Sequence, residues 1–241
     1  NNFGKTLSSP KSYNNHFGVP LSLSQLKIEH KFGVFEVGMS KKGEIDKLTK
    51  LIRPHFGIIT NIGEAHIENF KNLRGIADAK GEIIQNIEKG GTIILNRDDE
   101  HFTYLEKKAK KNNLKIVTFG INKKSNVQLV SKSKNRDQEL LTIKIKEKIL
   151  KVKIKNINFY NVLSSLALLD ELNLNLNTII NNFKNYEPSE GRGKIHNIKR
   201  YKKNFKLIDE SYNANPTSVK NAIQKLGSIK KQNFKKYLLL G

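Results

Sequence analysis

The passage from Phe56 to Ile87 restricts the fold most, because a short apolar run there passes through a polar loop into a helix-periodic stretch. Gly57, Ile58, Ile59 and Thr60 have the length and apolarity of a buried strand. Asn61, Glu64 and His66 make the following loop polar. Beyond it, Leu73, Ile76, Ala77, Ile83, Ile84 and Ile87 recur at helical spacing and define one apolar face. A continuous helix puts Lys80 on that inward stripe, with Asp78, Glu82, Gln85 and Asn86 facing the other way. A buried ammonium without a partner is costly, so it must pair, lose its proton or be chemically changed. The alternative is that its stem lies along the core and its amine reaches water.

The same alternation extends on both sides. An apolar strand within Lys31–Gly38 ends near an acid, Glu36, and the next helix, Glu44–Ile52, stops before Pro54. A strand at Thr92–Asn96 and a helix from about Glu100 to Lys111 continue the series. Strands alternating with helices predict an α/β fold with a parallel sheet, whose ligands bind at the C-terminal strand ends. Glu36, the loop Asn61–His66, and Asn96, Asp98 and Asp99 are all expected at that edge. From Lys115 to Lys155, Val127, Leu129, Leu141, Ile143, Ile145, Leu150, Val152 and Ile154 alternate with polar residues, which predicts a small antiparallel patch beside the main sheet.

A helix is expected from Asn158 to Leu172, with Asn158 and Asn161 in its first turn, either as caps or as amides that read a base edge. A short helix spans Leu176–Phe183. The run from Glu187 to Gly193 then breaks the pattern, and its glycines around Arg192 suggest a hinge whose arginine can reach a phosphate. A domain boundary near Gly191 gives a first domain over 1–190 and a second over 191–241. In the second, a strand Phe205–Asp209, a loop Glu210–Pro216, a helix Thr217–Leu226 and a strand Tyr237–Leu240 follow. Toward the start, a short helix is expected at Leu21–Leu26 after the polar loop of Asn14 and Asn15.

At 241 residues the chain has ample length for a core. It begins at Asn1, its one methionine is Met39, and its end reads as an interrupted strand, so both ends are expected to be truncated. The absence of cysteine excludes disulfides and thiolate metal sites. No apolar run approaches the roughly 18 residues of a membrane span. The formal net charge is +22, but 38 of the 44 basic residues are lysine and they are scattered along the chain. Arginine forks that read bases are scarce and aromatics rarely interleave with the charge, so a solvated surface is expected instead of a nucleic-acid interface. Gly4-Lys5-Thr6 has the ending of a phosphate-binding loop, but Pro10 opposes the helix N-terminus such a loop needs, so it is read as a decoy.

Eight segments in order carry a resemblance: NNHFGVPLSL at Asn14, FEVGMSKKGEI at Phe35, TNIGEAHIENF at Thr60, DAKGEI at Asp78, LNRDD at Leu95, INFYNVLSSLAL at Ile157, GRG at Gly191 and IDESYNANP at Ile208. Together the chain resembles the Mur ligase family of ATP-dependent amide ligases, and the SYNANP form resembles its branch adding D-alanyl-D-alanine. The resemblance implies a P-loop-type central ATPase domain followed by the start of a Rossmann-like C-terminal domain. It also implies ATP and Mg²⁺ as cofactors, with Glu36, His66 and a carbamylated Lys80 as catalytic residues and metal ligands. Asn158, Asn161, Arg192 and Asp209 would serve the nucleotide, although Ile157 replaces the histidine the family usually has there. Asn14, Asn15, Ser211, Asn213 and Asn215 would face UDP-N-acetylmuramoyl-tripeptide and D-Ala-D-Ala. The implied protein is a cytoplasmic monomer of peptidoglycan synthesis. Its true phosphate-binding loop and UDP-binding domain would precede Asn1, so the chain alone is expected to be inactive. Two alternatives stay open. One is a related ligase with another amine substrate, and the other is a basic module whose nucleic-acid affinity would fall steeply with salt.

Overall fold

The computed structural model describes residues 3–64, 66–135, 138–155, 157–214, 216–229 and 235–240. The chain divides into two compact units, one of residues 1–62 and 66–186 and one of residues 63–65 and 187–241.

The first unit is built on a six-stranded sheet in the order β3-β4-β5-β6-β7-β8. Strands β3 (Phe56–Ile59), β4 (Thr92–Asn96), β5 (Lys115–Gly120) and β6 (Val127–Asn135) run parallel, whereas β7 (Gln138–Ile145) pairs antiparallel with both β6 and β8 (Lys148–Ile154). The antiparallel strands therefore extend the main sheet and do not form a separate patch beside it. The junction is narrow, since β5 and β6 pair only at Phe119↔Val127 and Gly120↔Gln128.

Side-chain alternation sends the residues of β4 to two different cores. Ile93 and Leu95 pack with Ile59, Ile84, Ile87, Phe102 and Leu105 on the face covered by helix α4 (Phe102–Lys111). Ile94 packs with Val117, Phe119 and the inner residues of β6 to β8 against helix α5 (Phe159–Glu171). All five residues of β4 are buried, as expected of a parallel strand covered on both faces. The eight alternating residues predicted to mark β6 to β8 are all buried. Burying each such aliphatic side chain stabilises the unit by roughly 1.5–3 kcal/mol.

The predicted long helix before Ile87 changes type. Helix α3 covers Leu73–Lys80 and a 3-10 turn covers Gly81–Asn86. A Cβ on Gly81 would lie 3.1 Å from Leu105 Cδ2, so glycine there lets α4 approach closely. The side predicted to face outward is in part covered by helix α2 (Glu44–Ile52), which leaves Gln85 exposed but buries Glu82. That corrects the expectation for Glu82.

Strand β2 (Phe32–Val34) pairs in parallel with β1 (Thr6–Ser8) in a two-stranded sheet of its own. Glu36 therefore follows a strand of this small sheet, not one of the main sheet as expected. Thr6 opens β1 and Lys5 pairs with Glu29 at 2.6 Å, so no helix follows the Gly-Lys-Thr run, in keeping with its reading as a decoy. Helix α1 starts earlier than predicted and spans Gly18–Ser24, because the Asn15 side chain accepts the N–H groups of Phe17 and Gly18. The region predicted as Leu176–Phe183 forms two 3-10 turns, Leu176–Thr178 and Asn182–Asn185.

The second unit holds an antiparallel hairpin, β9 (Lys194–Arg200) and β10 (Lys203–Asp209), and helix α6 (Pro216–Ser228). Tyr201 and Lys202 close the hairpin, both at positive φ, the geometry of a two-residue turn that suits strand twist. Residues 237–240 are exposed and form no strand, contrary to expectation.

Candidate functional site

Because β3, β4 and β5 are parallel, their C-terminal ends share one rim. The loop leaving β3 is held there by three side chains from different segments. Asn96, the last residue of β4, donates to the Thr60 carbonyl at 3.0 Å. Lys80, the last residue of α3, donates to the Asn61 carbonyl at 2.8 Å. Asp99 accepts the Ile62 N–H at 2.6 Å and the N–H of His101, the cap of α4, at 2.8 Å. Bonds of this kind to charged groups contribute about 1.5–3 kcal/mol each.

Lys80 is half-buried. Burial pulls its pKa below the usual lysine value, and the Asp99 carboxylate partly opposes that shift. The amine finds a main-chain carbonyl as its partner. Asp98, next to Asp99, turns to the other side of the rim. It accepts the N–H groups of Ile121 and Asn122 at 2.5 and 2.9 Å and the Tyr160 hydroxyl at 3.1 Å. Burial, followed by the Asp98 charge and hydrogen bond, pushes the Tyr160 phenol up to about 12. The sequence reading missed Tyr160, whose only signal was its place beside Asn161 in the first turn of α5.

Glu36 is exposed, and its Oε1 accepts from Asn14 Nδ2 at 2.9 Å. The Asn14 carbonyl also accepts the Gly38 N–H at 2.8 Å, so this asparagine fixes the strand end that carries Glu36. Asn15 starts α1, as described above. His66 is exposed in a left-handed conformation with φ 56, and its Nδ1 lies 3.7 Å from a Glu68 carboxylate oxygen. Among the described residues, no hydrogen bond or ion pair joins any two of Glu36, His66 and Lys80. Asn158 is the cap of α5, its side chain accepting the Tyr160 N–H at 2.9 Å. Asn161 is exposed one turn on.

In the second unit, Asp209 organises the loop around Arg192. Its carboxylate accepts the Gly191 N–H at 3.0 Å, the Ser211 N–H at 3.1 Å and the Ser211 hydroxyl at 2.6 Å. The Ser211 bonds are the main reason its pKa falls below the usual carboxylate value. The Arg192 guanidinium lies 4.3 Å from the centre of the Tyr212 ring. Asn213 accepts the N–H of Ala214 at 2.8 Å, and Asn215 lies outside the described residues. Glu190, His196 and Asp209 place potential ligand atoms within 4.8 Å of one another.

The residues expected to hold Mg²⁺ fit it unequally. Glu36 offers an exposed carboxylate, which suits an oxygen-seeking cation. The His66 imidazole is a softer ligand. Lys80 as an ammonium repels a cation and would fit only as a carbamate, whose formation needs the neutral amine that burial favours.

The Mur ligase middle domain family matches residues 1–169. The chain is 30% identical over 233 residues to a UDP-N-acetylmuramoyl-tripeptide–D-alanyl-D-alanine ligase of Buchnera aphidicola subsp. Baizongia pistaciae, covering 95% of this chain and 49% of the relative. It is 30% identical over 239 residues to the Bacillus subtilis ligase of the same name, covering 95% and 48%. Its fold matches a crystal structure of MurF from Acinetobacter baumannii with a TM-score of 0.85 at 28% identity, over 94% of this chain and 49% of that one. The chain thus spans about half the length of the relatives it matches. The match over 1–169 and these relatives together place the chain in the Mur ligase family.

Proposed function

We propose that this chain is the ATP-handling part of a ligase that joins D-alanyl-D-alanine to UDP-N-acetylmuramoyl-tripeptide. The observation that carries the reading is the half-buried Lys80 amine, lowered in pKa, at the rim loop of a chain whose relatives over most of its length bear that ligase name.

In this reading the tripeptide carboxylate takes the terminal phosphoryl group of ATP, and ADP leaves. The amine of D-Ala-D-Ala then attacks the acyl carbon, losing a proton as phosphate departs. Glu36, His66 and carbamylated Lys80 would hold Mg²⁺, which when bound neutralises charge on the transferring phosphoryl group. Asn96 and Asp99 orient the loop of Thr60 to Ile62 on which Lys80 rests. Asn158, Asn161, Arg192 and Asp209 serve the nucleotide, while Asn14, Asn15, Ser211, Asn213 and Asn215 serve the substrates. The domains are a central ATPase over 1–190 and the start of a Rossmann-like domain over 191–241. Movement at Gly191–Gly193 would keep water from the acyl phosphate. The protein acts as a monomer in the cytoplasm in peptidoglycan synthesis, and so in cell shape and division. Among the described residues, no helix is long and apolar enough to cross a membrane.

The test is phosphate release from ATP by the protein that carries this sequence, with each substrate present or omitted. Release that requires both the UDP-linked tripeptide and D-Ala-D-Ala is expected. Release indifferent to the dipeptide, or equally supported by a single amino acid, would overturn the reading.

A further inference from the structure

Glu82 is only 6% exposed, yet the machinery described so far gives it no role. Its Oε1 accepts the Gly43 N–H at 2.7 Å and its Oε2 accepts the Asp46 N–H at 3.0 Å. Those groups belong to the first turn of α2, where a helix leaves its N–H donors unsatisfied and its dipole favours a negative charge. The residue at the cap position, Gly43, has no side chain to supply an acceptor. Glu82 supplies it from the 3-10 turn that begins directly after Lys80. Asn86, in the same turn, donates to the Asp46 carbonyl at 3.1 Å, to Asp46 Oδ1 at 3.0 Å and to Thr49 Oγ1 at 2.9 Å.

The other end of this connection leads to Glu36. The N–H groups of Ser40 and Lys41 bind Glu44 Oε2 at 2.6 and 3.1 Å. The Gly38 N–H binds the Asn14 carbonyl at 2.8 Å, and Asn14 binds Glu36. The chain from Glu36 to Asp46 is thus anchored at successive points, and the last anchor is Glu82.

We infer that Glu82 is a positioning residue that holds the segment from Val37 to Gly43, and with it Glu36, in register with Lys80. The consequence for catalysis rests on the ligase reading, in which Glu36 and Lys80 share one cation. The local consequence does not depend on it. A cap with no further role would fix Gly43 and Asp46 alone. A register element also governs Gly38, Ser40 and Lys41, whose own partners are untouched by substitution of Glu82.

The test compares wild type with Glu82→Gln, which keeps one acceptor, and Glu82→Ala. Backbone hydrogen exchange is read first. Exchange at Gly38, Ser40 and Lys41 is expected to quicken by about tenfold in Glu82→Gln, with the amides of β4 unchanged. Acceleration confined to Gly43 and Asp46 would overturn the inference. If Glu82→Ala does not fold, Glu82→Gln alone decides. The second reading is the Mg²⁺ concentration giving half-maximal phosphate release in the full protein. It is expected to rise about tenfold in Glu82→Gln, the effect typical of losing a group that orients a metal ligand, with kcat at saturating Mg²⁺ retained. An unchanged Mg²⁺ requirement beside a loss of kcat would overturn the catalytic part. A wild type that releases no phosphate with both substrates would overturn the ligase reading and the catalytic part together, leaving the exchange result to decide the local claim.

Discussion

Lys80 Nζ and the Asn61 carbonyl oxygen lie 2.8 Å apart, so the end of α3 is fastened to the loop that leaves β3. The bond puts a lysine where burial lowers its pKa, and this has a consequence for stability. In the unfolded chain the amine titrates near ~10.4. In the fold it titrates lower, so between the two values the unfolded state binds the extra proton and stability rises with pH. Below the folded value both states are protonated and the destabilisation is present in full. Melting curves of wild type and Lys80→Met from neutral pH to about pH 10 should show wild type gaining on the variant. Parallel curves would contradict a lowered Lys80.

Asn158 is expected to serve two ends at once. Asn158→Ala should cost about 1 kcal/mol through loss of the cap on α5, and Asn158→Ser should restore most of it. If the amide also reads the nucleotide, Asn158→Ser will bind ATP more weakly despite its regained stability. Urea unfolding and nucleotide titration of the same pair separate the roles. Equal ATP affinity in Asn158→Ser and wild type would leave Asn158 as a cap only.

Elements whose pattern depends on their own residues were legible in the sequence, and those fixed by distant partners were not. Helix α2 has the predicted bounds because its apolar spacing at Ile45 and Leu48 and its exit before Pro54 are local, even though its cap comes from distant Glu82. The antiparallel strands were visible because each has one buried face, which forces alternation. The inward lysine was visible for the same kind of reason. Glu82 was misjudged because its partner N–H groups lie 39 and 36 residues earlier and nothing near it announces them. Strand β9 was missed because Tyr201 and Lys202 lack the Asn-Gly character by which such turns are recognised. The pairing of β2 with β1 could not be read from β2, since a short apolar run does not say which strand it will meet.

Tyr160 should resist ionisation. Its folded pKa of about 12 exceeds the unfolded value near ~10, so its stabilising contribution is complete below ~10 and is lost as pH rises through the folded value. Ultraviolet difference titration should show one phenol in wild type that ionises after the others and is absent in Tyr160→Phe. Removing its bond to Asp98 should cost about 1–2 kcal/mol. A Tyr160 that ionises with the exposed tyrosines would contradict the Asp98 contact.

Two glycines should respond in opposite directions. Gly120 has φ 154, and a Cβ there would lie 2.6 Å from Asp98 Oδ2. Gly120→Ala should therefore destabilise the first unit by about 2 kcal/mol or more. A Cβ at Gly227, inside α6, would meet nothing within 4 Å. Gly227→Ala should stabilise that helix by about 0.5–1 kcal/mol. Denaturant unfolding of each variant checks both, and a harmless Gly120→Ala would show that the Asp98 loop is not packed as described.

The proposed chemistry requires Lys80 to carry a carboxylate borrowed from CO₂. The direct measurement is phosphate release by Lys80→Ala in the full protein, with both peptide substrates, before and after adding short carboxylic acids. Loss of release that acetate or formate partly restores is the predicted result. Release by Lys80→Ala equal to wild type, with no carboxylic acid added, would contradict it.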